Sequence, residues 1–344
     1  MMASERVLVT GGQGFIGAWV VKQLLDEGVH PIIFDLKENN GILEQVLQPQ
    51  QMLKLERHYG DISDTEHVRS LVLECKPTAI IHLAGLQIPT CKVNPVLGAQ
   101  VNVIGTLNVF EAAKALREVT GGKPPMIVYA SSAAVLGPPS AYTETPVPDD
   151  YYHKPGTIYG VFKLCNEGCA RLYWQDHQMP SVGLRPLTCF GVGREIGLTS
   201  APTKAIKATV LGRKYTVTCS GTTGFSYVED VARIFVGCMR ASVEGAPAFN
   251  IRGVVDTSEH FVEILKQVLP EAGQLIDIKG PSIPIMADTD ESALTALLKS
   301  VPAPHDLKEP FPLPLDECIR RTAEHFKRLA DEGRLHSNDL PPLE

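Results

Sequence analysis

Tyr159-Gly-Val-Phe-Lys163 sets a phenol and an ammonium four residues apart, so on a helix both project from one face. A free phenol titrates near pH ~10 and is a poor base at neutrality. A neighbouring cation favours the phenolate, so Lys163 is the group that would tune Tyr159 for proton transfer. Ser132 ends the apolar run preceding that helix, where its hydroxyl can hold a substrate oxygen beside the phenol; Ser131, its neighbour, is the alternative.

A second constellation opens the chain. In Thr10-Gly11-Gly12-Gln13-Gly14-Phe15-Ile16-Gly17 a short apolar strand runs into a glycine-rich turn and then a helix. Gly11 and Gly14 let the backbone turn tightly, and Gly17 lets the helix pack closely on the strand. A pyrophosphate approaching this turn meets the unpaired N–H groups of Phe15 and Ile16 and the positive end of the helix dipole. The next apolar run, His30 to Leu36, carries Asp35 about twenty residues on, where a carboxylate accepts hydrogen bonds from an adenosine ribose. Asp35 would repel a 2′-phosphate, which favours NAD over NADP, although Lys37 lies close enough to soften the preference. A bound oxidised nicotinamide would add to the effect of Lys163 on Tyr159 and take or return hydride.

These residues need a scaffold that brings them to one edge. Strands are predicted near 6–10, 30–35, 52–58, 79–84, 125–131 and 181–187, with helices near 15–28, 64–75, 96–117 and 157–178. Near-continuous apolar strands alternating with helices predict a doubly wound parallel α/β sheet of Rossmann type. Ligands of such sheets bind beyond the carboxyl ends of the strands. Asp61-Ile62, Leu83-Ala84-Gly85, Ser131-Ser132 and Pro186-Leu187-Thr188 fall there. After Pro186 glycine and proline become frequent, and Lys279–Pro314 is rich in proline. The expected division is a Rossmann domain over 1–187, to which 226–252 returns, and a smaller irregular α/β substrate-binding lobe over most of 188–344, closed by a helix near 315–333.

Composition narrows the classes of function. With 344 residues and a net charge of −7, the chain offers no electrostatic footprint for nucleic acid. No apolar run is read as approaching the roughly twenty residues that span a bilayer. Met1-Met2-Ala3-Ser4 leads straight into the first strand, without a leader pattern. The eight cysteines form no Cys-x-x-Cys pair and read as reduced, packed thiols, so no metal site is expected. A cytoplasmic protein is the expectation.

The ordered series Thr10-Gly-Gly-Gln-Gly-Phe-Ile-Gly17, Asp35, Gly60-Asp61-Ile62, His82-Leu-Ala-Gly85, Asn102-Val-Ile-Gly-Thr106, Ser131-Ser132, Tyr159/Lys163 and Leu184-Arg-Pro186 resembles the extended short-chain dehydrogenase/reductase superfamily, specifically its NAD-dependent epimerase/dehydratase group. The resemblance covers about two-thirds of the chain closely. It implies Ser132, Tyr159 and Lys163 as the catalytic group, with Lys163 also on the nicotinamide ribose. It implies Asp61 and Ile62 beside adenine, Leu83, Ala84 and Gly85 along the centre of NAD, and Asn102 supporting the central helix, with Pro186 and Thr188 among the cofactor contacts. It prefers Ser132 over Ser131, because that serine precedes the matched glycine, Gly137, by five residues. It also implies a homodimer in which helices 96–117 and 157–178 pack against their symmetry mates; Val101, Leu107 and Phe110 are apolar side chains of the first helix that face either the partner or the sheet.

Two positions depart from the pattern. Nucleotide-sugar members of the group usually carry asparagine where this chain has Thr188, and often arginine near Thr223; those side chains grip the substrate diphosphate. Here Arg194, Lys204, Lys207, Arg213 and Lys214 crowd the segment expected to cover the substrate, with Arg194 closest to the cleft. Substrate contacts are expected from Ser132, Thr188 and Arg194. The implied activity is NAD-dependent hydride transfer at a secondary alcohol of a small polar substrate, a sugar, sugar acid or hydroxy acid. The alternative is a sugar or nucleotide-sugar epimerase working through a transient ketone.

Overall fold

The computed structural model describes residues 5–197, 199–301 and 311–342. Part of the proline-rich run, 302–310, and the four amino-terminal residues lie outside the described residues. A seven-stranded sheet forms the centre, in the order β10-β6-β5-β4-β1-β2-β3. Its strands are β1 (Val7–Thr10), β2 (Pro31–Asp35), β3 (Glu56–Tyr59), β4 (Ala79–His82), β5 (Met126–Ala130), β6 (Ser181–Arg185) and β10 (Ala248–Asn250). Every pairing is parallel. The order reverses between β1 and β4, so a crevice opens there at the carboxyl ends of the strands.

Alternation along each strand loads both faces. Val7 and Val9 of β1 point into one apolar cluster and Leu8 into the other, and Val128 opposes Ile127 and Tyr129 in β5. The helices that cover these faces start on local chemistry. Asp64 accepts from the backbone N–H of His67 at 3.0 Å to cap Thr65–Cys75, and Thr157 accepts from that of Gly160 at 3.0 Å to cap Ile158–His177. At Gly17 an added Cβ would lie 2.2 Å from the Gly11 carbonyl oxygen, so only glycine lets the helix Phe15–Asp26 sit this close to the turn.

Three findings differ from the sequence reading. The helical run Pro95–Thr120, 26 residues long, contains an 18-residue stretch with a mean hydropathy of 1.2, apolar enough by length and composition to cross a membrane. It is half buried within the protein, and its Asn102, Thr106 and Asn108 are hydrogen-bonded in the interior. Phe110 on the same run packs against Tyr129 and Tyr173 at 6.1 and 4.9 Å between ring centroids, so it faces the core rather than a partner. The large apolar side chains that this run and the helix Ile158–His177 leave exposed are instead Val96, Leu97, Ile104 and Val119, with Ile158, Val161 and Leu172. Finally, the strand expected over 181–187 stops at Arg185. After Pro186 the chain crosses into β7 (Thr188–Phe190), part of a separate sheet with β9 (Thr222–Tyr227) and β11 (Val254–Thr257).

Two further strands, β8 (Tyr215–Val217) and β12 (Ile276–Ile278), pair in parallel beyond that sheet. The carboxy-terminal helix runs from Leu315 to Asp331, and Ser292–Lys299 forms a helix inside the proline-rich run.

Candidate active site

One cavity spans the crevice. Its lining includes Gly11, Gly14, Phe15, Ile16, Gly17, Leu83, Gly85, Asn102, Ser132, Tyr159, Lys163, Pro186 and Arg194, thirteen residues singled out from sequence. Asp35, Asp61, Ile62 and Ala84 stand outside that lining, beside the same strand ends. The Asp35 carboxylate accepts from the Gln13 backbone N–H at 3.0 Å, which ties the end of β2 to the glycine turn. Asp61 accepts from the backbone N–H and hydroxyl of Ser63 at 2.8 and 2.7 Å. Ile62 is buried under Gly105, and its carbonyl accepts from the Asn108 amide at 3.0 Å. Ala84 lies against Gly11, whose added Cβ would come within 2.7 Å of the Ala84 nitrogen.

The helix Ile158–His177 projects Tyr159 and Lys163 into the cavity, one turn apart. Lys163 Nζ donates to the Ala130 carbonyl at the end of β5 at 2.7 Å and sits 5.6 Å from the Tyr159 ring centroid. Burial drives the Lys163 pKa down to about 8, against the pull of Cys91 and Glu167. Burial also raises the Tyr159 phenol, while a hydrogen bond with Ser132 and the positive charge of Arg194 lower it.

The two serines separate cleanly. Ser132 accepts from the Ala134 backbone N–H at 3.2 Å and meets the Tyr159 phenol. The Ser131 hydroxyl turns the other way and donates to Glu167, which is itself held by Arg185 through two hydrogen bonds of 2.8 Å. Both residues line the cavity, but successive side chains of extended backbone point to opposite sides, and the Ser131 hydroxyl is the one directed at a buried ion pair.

Beneath the cavity runs a polar floor. Asn102 lies in a π-helical turn, Gln100–Ile104, and its amide group holds the Leu86 backbone at 3.2 Å and donates to the Gly98 carbonyl at 3.0 Å. His82 ends β4 fully enclosed, with Nδ1 2.7 Å from Thr10 Oγ1 and Nε2 3.1 Å from Thr106 Oγ1. Burial pushes its pKa down to about 3. The Ala84 backbone N–H donates to Thr10 Oγ1 at 3.3 Å, and Thr106 donates to the Asn102 carbonyl at 2.7 Å.

Thr188 corrects the sequence reading. It is fully buried, lies outside the lining, and shares a 2.6 Å hydrogen bond with Thr223. The cause is the crossing at Pro186, which carries Thr188 beside β9 instead of along β6. Cys189 reaches the cavity in its place, joined by Leu86, Gln87, Ile88, Pro89, Thr199 and Ile285, none of them picked out from sequence. The first four directly follow His82-Leu-Ala-Gly85, a signal that was available. Of the basic cluster, Lys207 pairs with Asp339 at 2.7 Å and Arg213 donates to the Pro341 carbonyl, so both serve the carboxy-terminal tail. Glu56 and His58 of the edge strand β3 gather within 4.0 Å of Cys75 at the end of the helix Thr65–Cys75, a cluster invisible in the spacing.

A pyrophosphate-binding turn, a switch-point crevice and a phenol–ammonium pair in one cavity define a Rossmann-fold enzyme that works with a nicotinamide dinucleotide. The chain belongs to the NAD dependent epimerase/dehydratase family, whose model matches residues 7–251. It is 28% identical over 260 residues to UDP-glucose 4-epimerase of Mycolicibacterium smegmatis, covering 74% of this chain and 79% of that protein. It is 26% identical over 328 residues to CDP-paratose 2-epimerase of Salmonella typhi, covering 86% and 92%. In fold it is similar to UDP-glucose 4-epimerase of Thermotoga maritima (TM-score 0.77, 20% identity, 94% of this chain and 99% of that one). It is equally similar to L-threonine dehydrogenase of Clostridium difficile (TM-score 0.77, 19% identity, 94% and 98%). The protein is an NAD-dependent enzyme of the epimerase/dehydratase family.

Proposed function

We propose that this enzyme oxidises a secondary alcohol of a small polar substrate, or reduces the corresponding ketone, with Ser132, Tyr159 and Lys163 as its catalytic group. The carrying observation is that these three share a cavity with the glycine turn, while Thr188 and Thr223 are spent on each other. The cavity suits NAD on its own geometry: Phe15, Ile16 and Gly17 line it from the first turn of a helix, where backbone N–H groups have no partner within the helix. The proposed NAD contacts are Gly11, Gly14, Phe15, Ile16 and Gly17 at the pyrophosphate, with Asp35, Asp61 and Ile62 toward the adenosine. Leu83, Ala84, Gly85, Asn102, Pro186, Tyr159 and Lys163 take the remaining length. When bound, NAD supplies the hydride acceptor or donor. Ser132 holds the substrate oxygen, Tyr159 as phenolate takes the hydroxyl proton, and the Lys163 cation holds that phenolate in the charged form. In the reverse direction the Tyr159 phenol returns the proton to the ketone oxygen.

The proposed division places 1–187 and 226–252 in the cofactor domain and most of 188–344 in a substrate lobe. A cytoplasmic homodimer is part of the reading, formed through the exposed apolar side chains of helices Pro95–Thr120 and Ile158–His177; a monomeric mass at micromolar concentration refutes the dimer.

Tyr159→Phe tests the chemistry. It removes the proton carrier and keeps the ring, so turnover should vanish while NAD binding persists; activity within tenfold of wild type overturns the assignment. Calorimetry with UDP-glucose tests the substrate side. With no side-chain grip at Thr188 and Thr223, the expectation is weak or no binding, with NADH accumulating on a free sugar, sugar acid or hydroxy acid. Tight UDP-glucose binding, or product inverted at one carbon without net NADH, establishes the epimerase instead.

A further inference from the structure

Arg194 enters the cavity from the loop after β7. Its guanidinium lies 5.6 Å over the Phe15 ring, and Nη2 donates to Thr199 Oγ1 at 3.2 Å. Its Nε is enclosed and meets no hydrogen-bond partner. Among the described residues no carboxylate pairs with Arg194, because its neighbour Glu195 is turned away and accepts from the Gln45 amide at 3.0 Å. The described lining contains two cations, Lys163 and Arg194, and no acidic residue, in a protein of net charge −7.

An enclosed guanidinium without a counter-charge is costly to keep, since desolvation is offset only by a well-placed anion. The loop nevertheless holds it there. Gly197 has φ of +111°, and an added Cβ would lie 2.9 Å from Arg194 Nη2 and 2.4 Å from Gln87 Oε1. The backbone therefore closes directly over the guanidinium and fixes its direction. We infer that Arg194, with Thr199 beside it, is a subsite for the carboxylate of the substrate, so the alcohol this enzyme oxidises is a hydroxy acid or sugar acid. This deepens the oxidation reading and rests on it. A planar guanidinium matches a carboxylate through two parallel hydrogen bonds. Anionic oxygen has one other source here, the pyrophosphate of NAD. That group already has the helix N-terminus at Phe15–Gly17, whereas Arg194 acts electrostatically on the Tyr159 phenol, at the reacting end.

The test titrates NADH-loaded protein, read by NADH fluorescence, with four acid and neutral pairs: D-gluconate and D-glucitol, D-galactonate and galactitol, D-glucuronate and D-glucose, L-lactate and propane-1,2-diol. Wild type should bind at least one acid tenfold or more tightly than its neutral counterpart. Arg194→Gln should weaken that acid at least thirtyfold, leaving the neutral compound and NADH within threefold. Arg194→Lys should recover part of the acid's affinity, and Thr199→Val should weaken it several-fold in a protein with its full charge. If Arg194→Gln weakens NADH as much as the acid, the guanidinium serves the pyrophosphate and the inference falls. It falls equally if no acid outbinds its neutral partner. Repeating the titration on Tyr159→Phe separates the two readings, because acid binding that depends on Arg194 persists there without turnover. Turnover that survives Tyr159→Phe overturns the oxidation reading alone.

Discussion

Lys163→Met should separate catalysis from stability. With Nζ 5.6 Å from the Tyr159 ring centroid, an effective dielectric near 20 gives an attraction of about 3 kcal/mol for the phenolate. That is about two pKa units of support. The rising limb of the pH profile for alcohol oxidation should therefore move about two units alkaline, with a loss of about 100-fold at pH 7. The gap should narrow above pH 8, where Lys163, with its pKa lowered to about 8, sheds its own charge. Stability should move the other way or stay still. A lysine whose folded pKa is depressed carries a penalty that is fully present below the folded value and relieved as pH rises through it. From the ordinary 10.5 to about 8, that penalty is roughly 3 kcal/mol at pH 7, and removing the cation removes it. The orphaned Ala130 carbonyl then costs about 1–3 kcal/mol in return. Stopped-flow or steady-state NADH absorbance across pH 6–10, with calorimetric unfolding of the same samples, measures both. A profile shifted by less than half a unit, or an activity loss that tracks a fall in Tm, refutes this account of the pair.

Ser132→Ala should lower kcat by at least tenfold with Tm unchanged, whereas Ser131→Ala should do the reverse, lowering Tm with kcat within threefold; steady-state rates and thermal melts decide. Glu167→Gln leaves the Arg185 guanidinium, 3% exposed, without its bidentate anion, and should cost about 3–5 kcal/mol in denaturant unfolding. A loss below about 1 kcal/mol would mean that Asp149, whose carboxyl burial raises to about 6, takes over the charge. Asp35→Ala should weaken NAD at least tenfold and NADP far less, as measured by cofactor fluorescence; equal weakening would make Asp35 solely an anchor for the Gln13 N–H.

What the sequence made legible was local. The strand series and the glycine turn follow from period-two apolar runs and from close approaches that only glycine tolerates, and the phenol–ammonium pair follows from helical spacing alone. Thr188 was misjudged because its environment is set by a strand 35 residues away, Thr223 on β9, and no local pattern announces that pairing. Phe110 stayed undecided between a partner and the sheet because helical spacing does not say which face meets the sheet; its packing on Tyr129 and Tyr173 decides for the core. Within the basic cluster, nearness to the cleft strand was enough to set Arg194 apart, and Arg194 lines the cavity. What sequence could not show is that the folded tail brings Asp339 and Pro341 to Lys207 and Arg213.

The chain of contacts through His82 has a direction. Thr106 has a single proton and gives it to the Asn102 carbonyl, so toward His82 it can only accept. A ring whose pKa lies near 3 is neutral at physiological pH and carries one N–H, which must then sit on Nε2. Nδ1 is left as acceptor for the Thr10 hydroxyl, and Thr10 in turn accepts from Ala84. The links run one way, from the Ala84 N–H to Thr10 at the glycine turn and on through His82 to the central helix, like a row of arrows with no freedom to reverse. The enzyme thus holds one histidine tautomer as a structural part, and the two ring nitrogens should give well-separated ¹⁵N resonances that stay fixed from pH 5 to 9. Thr10→Val, which keeps the shape and deletes the two links through that hydroxyl, would let the ring lose its orientation and should blur that separation.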